Sequence, residues 1–132
     1  MMAETLRGDQ GLAMGAVAAG VSVVTGYPGS PATGVFDAFL ARSKPGQARV
    51  HWAPNEKVAM EVAFGASLAG SRALVVLKSV GMNVALDPLA TMALTGCRAG
   101  LVIVLGDDPG GWASQNEQDS RWMARVAEVP LV

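Results

Sequence analysis

Apolar positions along the chain switch between two rhythms, and the switching predicts alternating helices and strands. From residue 9 to 19, Leu12, Ala13, Ala16, Val17 and Ala19 recur at helical spacing, and Gly20 ends the pattern. Residues 21–25 form a short apolar run that reads as a strand. Gly26-Tyr27-Pro28-Gly29-Ser30-Pro31 reads as a turn, with Ser30 as N-cap and Pro31 as the first helical residue. The next helix runs to about Arg42, with Val35, Phe36, Phe39 and Leu40 on its inner face. Residues 43–48 are polar and contain Pro45-Gly46, as expected of a surface loop. Residues 50–52 read as a second strand. Asn55 caps a third helix over 56–69, which stops at Gly70. Residues 73–77 and 101–105 are unbroken apolar runs, the mark of strands covered on both faces. Between them lie a loop over 78–83 and a helix ending near Gly96. Residues 115–128 predict a last amphipathic helix carrying Trp122, Met123, Val126 and Ala127. Val129-Pro130-Leu131-Val132 then looks like the start of a fifth strand. A domain rarely ends inside a core strand, so the chain is expected to be a fragment of something longer.

This order predicts a doubly wound α/β fold: one domain over residues 1–132, a mostly parallel sheet, helices on both faces, truncated at the C-terminal end. Composition narrows the class. A hydrophobic content of 51% over 132 residues is enough for a real core. A net charge of −1 leaves no basic footprint for nucleic acid. The apolar runs are too short to span a bilayer, and no Lys/Arg-rich amphipathic helix suggests a membrane surface. The first ten residues contain Glu4 and Asp9 and lack the apolar centre of a signal peptide. One cysteine, Cys97, excludes an internal disulfide or a cysteine-ligated cluster within the chain. The simplest expected location is the cytoplasm.

In a doubly wound sheet the strand ends converge on one edge, which is where ligands bind. Four stretches meet there: Tyr27–Pro31, Asn55-Glu56, Lys78–Asn83, and Gly106–Gly111 with Ser114–Arg121. Glu56, in a first helical turn, is either a helix-dipole carboxylate worth about 0.3–1 kcal/mol or a proton-handling group in a cleft. Glu61, five residues on, reads as the former. The Gly26–Pro31 turn could cradle a phosphate, yet neither GxGxxG nor GxxxxGK[ST] is present. Asp107 and Asp108 could bind Mg²⁺, but Asp-Pro after a strand is more often turn punctuation, and no metal ligand is assigned. His51, the single histidine, is expected to be packed in its strand, which removes a Ser-His-Asp triad. Cys97 is expected in the core. Trp112, in a glycine-rich loop, suggests a contact surface, either a ligand lid or a subunit interface.

Together these stretches resemble one family. Thr25-Gly26-Tyr27-Pro28-Gly29-Ser30-Pro31, Asn55-Glu56-Lys57-Val58-Ala59, Gly81-Met82-Asn83-Val84-Ala85 with Asp87-Pro88, and Asp107-Asp108-Pro109-Gly110 with 114–121 are similar to the pyrimidine-binding domain of thiamine-diphosphate-dependent 2-oxoacid:ferredoxin oxidoreductases. The indolepyruvate-type large subunits are the nearest subgroup. The similarity covers the chain from about Gly11 to Val132, in the order and spacing of four motifs.

The resemblance implies that Glu56 hydrogen-bonds N1′ of the cofactor's aminopyrimidine, promoting the tautomer that removes the C2 proton of the thiazolium. It implies cofactor contacts from Tyr27, Pro28, Gly29, Asn55, Gly81 and Asn83. Ser30 replaces a family threonine beside the substrate carbonyl and keeps the hydroxyl. Arg121 could pair with a substrate carboxylate, or be an ordinary surface arginine. Ser79 stands where close relatives carry histidine. Mg²⁺ and the diphosphate are implied to be held by a separate domain or subunit, and iron–sulfur clusters to lie elsewhere. The implied reaction is oxidative decarboxylation of indolepyruvate or another aryl 2-oxoacid to an acyl-CoA. Ferredoxin and coenzyme A would be partners, in an oligomeric assembly, with this chain inactive alone. The alternatives are a non-oxidative thiamine-dependent decarboxylase and a non-catalytic assembly domain of the same fold. A flavodoxin-like nucleotide binder fits the topology but lacks phosphate motifs.

Overall fold

The computed structural model describes residues 5–114 and 116–132. Its elements are α1 (Gly8–Ala18), β1 (Val23–Gly26), α2 (Thr33–Arg42), β2 (Arg49–Trp52), α3 (Glu56–Leu68), β3 (Ala73–Lys78), α4 (Gly81–Thr95), β4 (Leu101–Gly106) and α5 (Arg121–Val126). The strands form one parallel sheet in the order β2-β1-β3-β4. The chain steps from β1 to β2 on one side, then crosses back past β1 to build β3 and β4. The reversal lies between β1 and β3, and in doubly wound sheets ligands bind at the carboxyl ends beside such a reversal. Crossovers to parallel neighbours on both sides of β1 account for helices on both faces.

The period-2 alternation of the strands fills both layers. Val24, Leu74 and Val76 pack with Ala13, Val35, Phe36 and Phe39 on the α1–α2 side. Val75 and Leu77 pack with Ala59, Met60 and Ala63 of α3 and Met82, Leu89 and Met92 of α4 on the other. Burying a side chain such as Phe39 or Met60 contributes about 1.5–3 kcal/mol. Small residues at Ala59, Ala63 and Ser67 share one face of α3 and let it lie close to the sheet. Ser67 Oγ donates to the Ala99 carbonyl and accepts from the Ala99 N–H, tying α3 to the turn before β4.

Several expectations are corrected. α2 begins at Thr33, not at Pro31, and Ser30 is not its cap. Instead the Gly29 N–H donates to Thr33 Oγ1 at 3.0 Å and the Thr33 N–H to the Gly29 carbonyl, closing the turn on itself. The Ser30–Pro31 bond is cis. Leu40 is exposed, on the outer face of α2. The stretch expected as a loop to Asn83 turns helical at Gly81. β4 is an edge strand with Val102 largely exposed, so its apolar run is not covered on both faces. His51 and Cys97 are exposed: His51 lies on the other edge strand, and Cys97 comes just after the left-handed Gly96 that ends α4.

The last helix is much shorter than expected, covering Arg121–Val126; its expected start at Gln115 lies outside the described residues. The residues before it are committed to polar bonds across the sheet edge. Residues 129–132 form no strand. Glu128 adopts φ 56°, and the Val129 N–H bonds back to the Ala124 carbonyl, a helix closure rather than a strand entry. Among the described residues no helix is long and apolar enough to cross a membrane.

Candidate functional site

The carboxyl edge at the β1/β3 reversal is assembled by side chains packed closely on glycine backbone. The Asn55 side chain accepts from the Val58 N–H at 2.9 Å and caps α3, which fixes Glu56 as the first helical residue. The half-buried Glu56 then lies flat against Gly81, the first residue of α4. A β-carbon on Gly81 would sit 2.6 Å from Glu56 Cγ and 2.8 Å from Oε1, so any side chain there would displace the carboxylate from this position. Met82 and Asn83 amides are engaged by the Ser79 and Val80 carbonyls. Among the described residues nothing is hydrogen-bonded or ion-paired to the Glu56 carboxylate.

The turn after β1 packs on the next strand over. A β-carbon on Gly29 would meet Lys78 Cβ at 2.7 Å, so the turn rests directly on the lysine stem. The Lys78 ammonium donates to the Ser30 carbonyl at 3.0 Å, to Asp108 Oδ2 at 2.7 Å and to Ser114 Oγ at 3.2 Å. Ser79, fully buried, donates its hydroxyl to Asp108 Oδ1 at 3.1 Å. Lys78 first, with the Ser114 and Ser79 hydroxyls, holds the Asp108 carboxyl down to about 2 against the opposing effect of desolvation. Asp108 is therefore an ion-pair partner. No group of three or more potential metal ligands exists among the described residues.

A second network straps residues 117–120 over the start of α4. Asn83 Nδ2 donates to Gln118 Oε1 at 2.9 Å, while Gln118 Nε2 donates to the Ser79 carbonyl at 3.0 Å. Asp107 Oδ2 accepts from the Ser120 N–H at 2.7 Å, and Glu117 accepts from the Gly110 N–H. Trp112 projects fully exposed from this loop.

The expected site residues thus divide. Glu56, Gly81, Asn83, Gly29 and Ser30 are brought to one edge, with Tyr27, Pro28 and Ser30 exposed on the turn. Asn55 commits its side-chain carbonyl to the cap. Arg121 closes its guanidinium fork on Asp119, at 2.8 Å and 2.6 Å, rather than leaving it open. That pairing holds the Asp119 carboxyl down to about 2 and raises Arg121. Sequence reasoning placed Lys78, Asp108, Ser114 and Gln118 in the edge stretches and weighed Asp108 only as a metal ligand or turn residue, so the bonding that joins them was missed. The available signal was a lysine ending a strand whose other residues are all apolar, facing an acid one strand over.

Residues 14–129 match the family model described as pyruvate flavodoxin/ferredoxin oxidoreductase, thiamine diphosphate-binding. The chain belongs to that family. It is 46% identical over 132 residues to indolepyruvate oxidoreductase subunit IorA of Archaeoglobus fulgidus, covering 96% of this chain and 21% of that protein. It is 40% identical over 127 residues to the subunit of the same name from Pyrococcus horikoshii, covering 96% of this chain and 20% of that one. The chain thus spans about a fifth of the length of the curated relatives it matches. Among solved structures, 2-oxoglutarate:ferredoxin oxidoreductase from Magnetococcus marinus superposes with a TM-score of 0.76 at 21% identity, over 90% of this chain and 21% of that chain. That likeness supports the doubly wound fold.

Proposed function

We propose that this chain is the pyrimidine-binding part of a thiamine-diphosphate-dependent 2-oxoacid oxidoreductase. The observation that carries the reading is the Glu56 carboxylate: half-buried, held by a capped helix, seated on a glycine, and bonded to no neighbour among the described residues. Such a group can share a proton with a ring nitrogen. The carboxylate lies at the carboxyl edge of the sheet, where doubly wound folds bind ligands, and the family description names thiamine diphosphate, so the residues present fit the cofactor's pyrimidine end. Thiamine diphosphate supplies, when bound, the electron sink that decarboxylation of a 2-oxoacid requires. Glu56 holds and returns a proton at that ring. Gly81 keeps the carboxylate in place. Tyr27, Pro28, Gly29, Asn55 and Asn83 border the same edge and would orient the ring. Ser30 offers a hydroxyl to the substrate. Arg121 could meet a substrate carboxylate only by opening its fork on Asp119.

The names of the relatives favour indolepyruvate or another aryl 2-oxoacid as substrate. The electrons would pass to ferredoxin through iron–sulfur clusters carried elsewhere, and the acyl group to coenzyme A. The Mg²⁺ and diphosphate would be held by a separate domain or subunit of an oligomeric, cytoplasmic enzyme, without which residues 1–132 would not turn over. Glu56→Gln in the complete enzyme tests the reading. General acid–base contributions predict a fall in turnover of about 10²–10⁴-fold. Wild-type turnover in that variant would leave only an assembly role.

A further inference from the structure

We propose that Lys78 is a positioning residue that clamps three strand ends together and thereby sets the Ser30 turn against the site. The inference rests on the reading above for what Ser30 faces, and on geometry for everything else. An ammonium has three donors, and here they find acceptors on two other pieces of chain: the Ser30 carbonyl after β1, and Asp108 and Ser114 after β4. The lysine itself ends β3. With every donor in use and its charge matched by Asp108, Lys78 does not offer itself to a substrate carboxylate. Its effect runs through what it holds.

The clamp is built on both sides. Its side chain is largely buried, as is that of Asp108. Gly29 lacks the β-carbon that would lift the turn off the lysine stem. The other Asp108 oxygen is taken by Ser79, so the carboxylate is fixed at two points. Gly106 completes the approach: a β-carbon there would lie 2.8 Å from the Ala32 nitrogen, so the β4 end abuts the start of α2. Ser79 belongs to this clamp rather than to the open face, because its hydroxyl is buried on Asp108.

The test uses the complete protein. Lys78→Met should speed hydrogen exchange at the Gly29 and Thr33 amides by about tenfold, while the amides of central β3 keep their rates. It should also raise KM for the 2-oxoacid more than it lowers kcat. That rise should disappear when Ser30 is already alanine, because the two changes act through one turn. Asp108→Asn keeps the shape and serves if Lys78→Met fails to fold; it should show the same pattern at smaller amplitude. Unaltered exchange at Gly29 and Thr33 would overturn the clamp. A KM change that simply adds to that of Ser30→Ala would overturn its route through the turn. Full turnover by Glu56→Gln would instead remove the thiamine reading, and the exchange measurement would still decide the clamp.

Discussion

The two edges of the sheet use glycine for opposite purposes. At the amino edge, Gly70 has φ +92° and open space where a side chain would go; it ends α3 and turns the chain toward β3. At the carboxyl edge, Gly26, Gly29, Gly81 and Gly106 have no positive φ, but a β-carbon on any of them would run into a neighbour. The first use reverses direction. The second brings backbones and side chains together, and it collects where the strands of a doubly wound sheet meet ligands. Charge divides similarly. Arg72 and Arg98 line a shallow polar depression of about 490 Å³ at the amino edge, with no acid among its walls. At the carboxyl edge Lys78 and Asp108 are joined, and Glu56 is left without a partner among the described residues. A site is marked here by what is packed tightly around one uncommitted group.

Substitution can break this contrast. The largest effect is expected from Gly81→Ala. Alanine suits the first turn of α4, so stability should hold or improve slightly. The new β-carbon would push Glu56 aside, and turnover of the complete enzyme should fall about 10²-fold, as misplacement by about an ångström does. Gly26→Ala should instead unfold more easily, by about 1–3 kcal/mol in urea titration. Its β-carbon would collide with the Val76 carbonyl oxygen, backbone that cannot swing away. Gly70→Ala should cost roughly 1 kcal/mol for its left-handed backbone and leave turnover of the folded enzyme unchanged.

The smallest effect is electrostatic and confined to acid. The Asp108 carboxyl lies below its ordinary value in the folded protein, so its contribution is complete above that ordinary value. It is lost as pH falls through about 2. The urea midpoints of wild type and Asp108→Asn should therefore keep a constant separation from about pH 7 to 5 and converge as pH approaches 2.

Element type and order were legible because the apolar runs at β3 and the small-residue face of α3 admit few other readings. Glu56 was legible as well, since an N-cap asparagine after a strand fixes where the next carboxylate goes. The features that escaped were decided by contacts distant in sequence. The stretch before α5 has a helical pattern, but Gln118 and Glu117 bond across the edge to Ser79 and Gly110, and helix is confined to Arg121–Val126. The Lys78–Asp108 pair is 30 residues apart and depends on β3 and β4 being neighbours. His51 and Cys97 were placed inside by residue type, whereas sheet order put one on an edge strand and a left-handed glycine put the other on the surface.

The most direct measurement is the rate at which the C2 proton of bound thiamine diphosphate exchanges with deuterium in the complete enzyme, wild type against Glu56→Gln. If Glu56 handles the pyrimidine proton, the variant should bind the cofactor and exchange it about 10²–10⁴-fold more slowly. An unchanged exchange rate in the fully loaded variant would contradict that role.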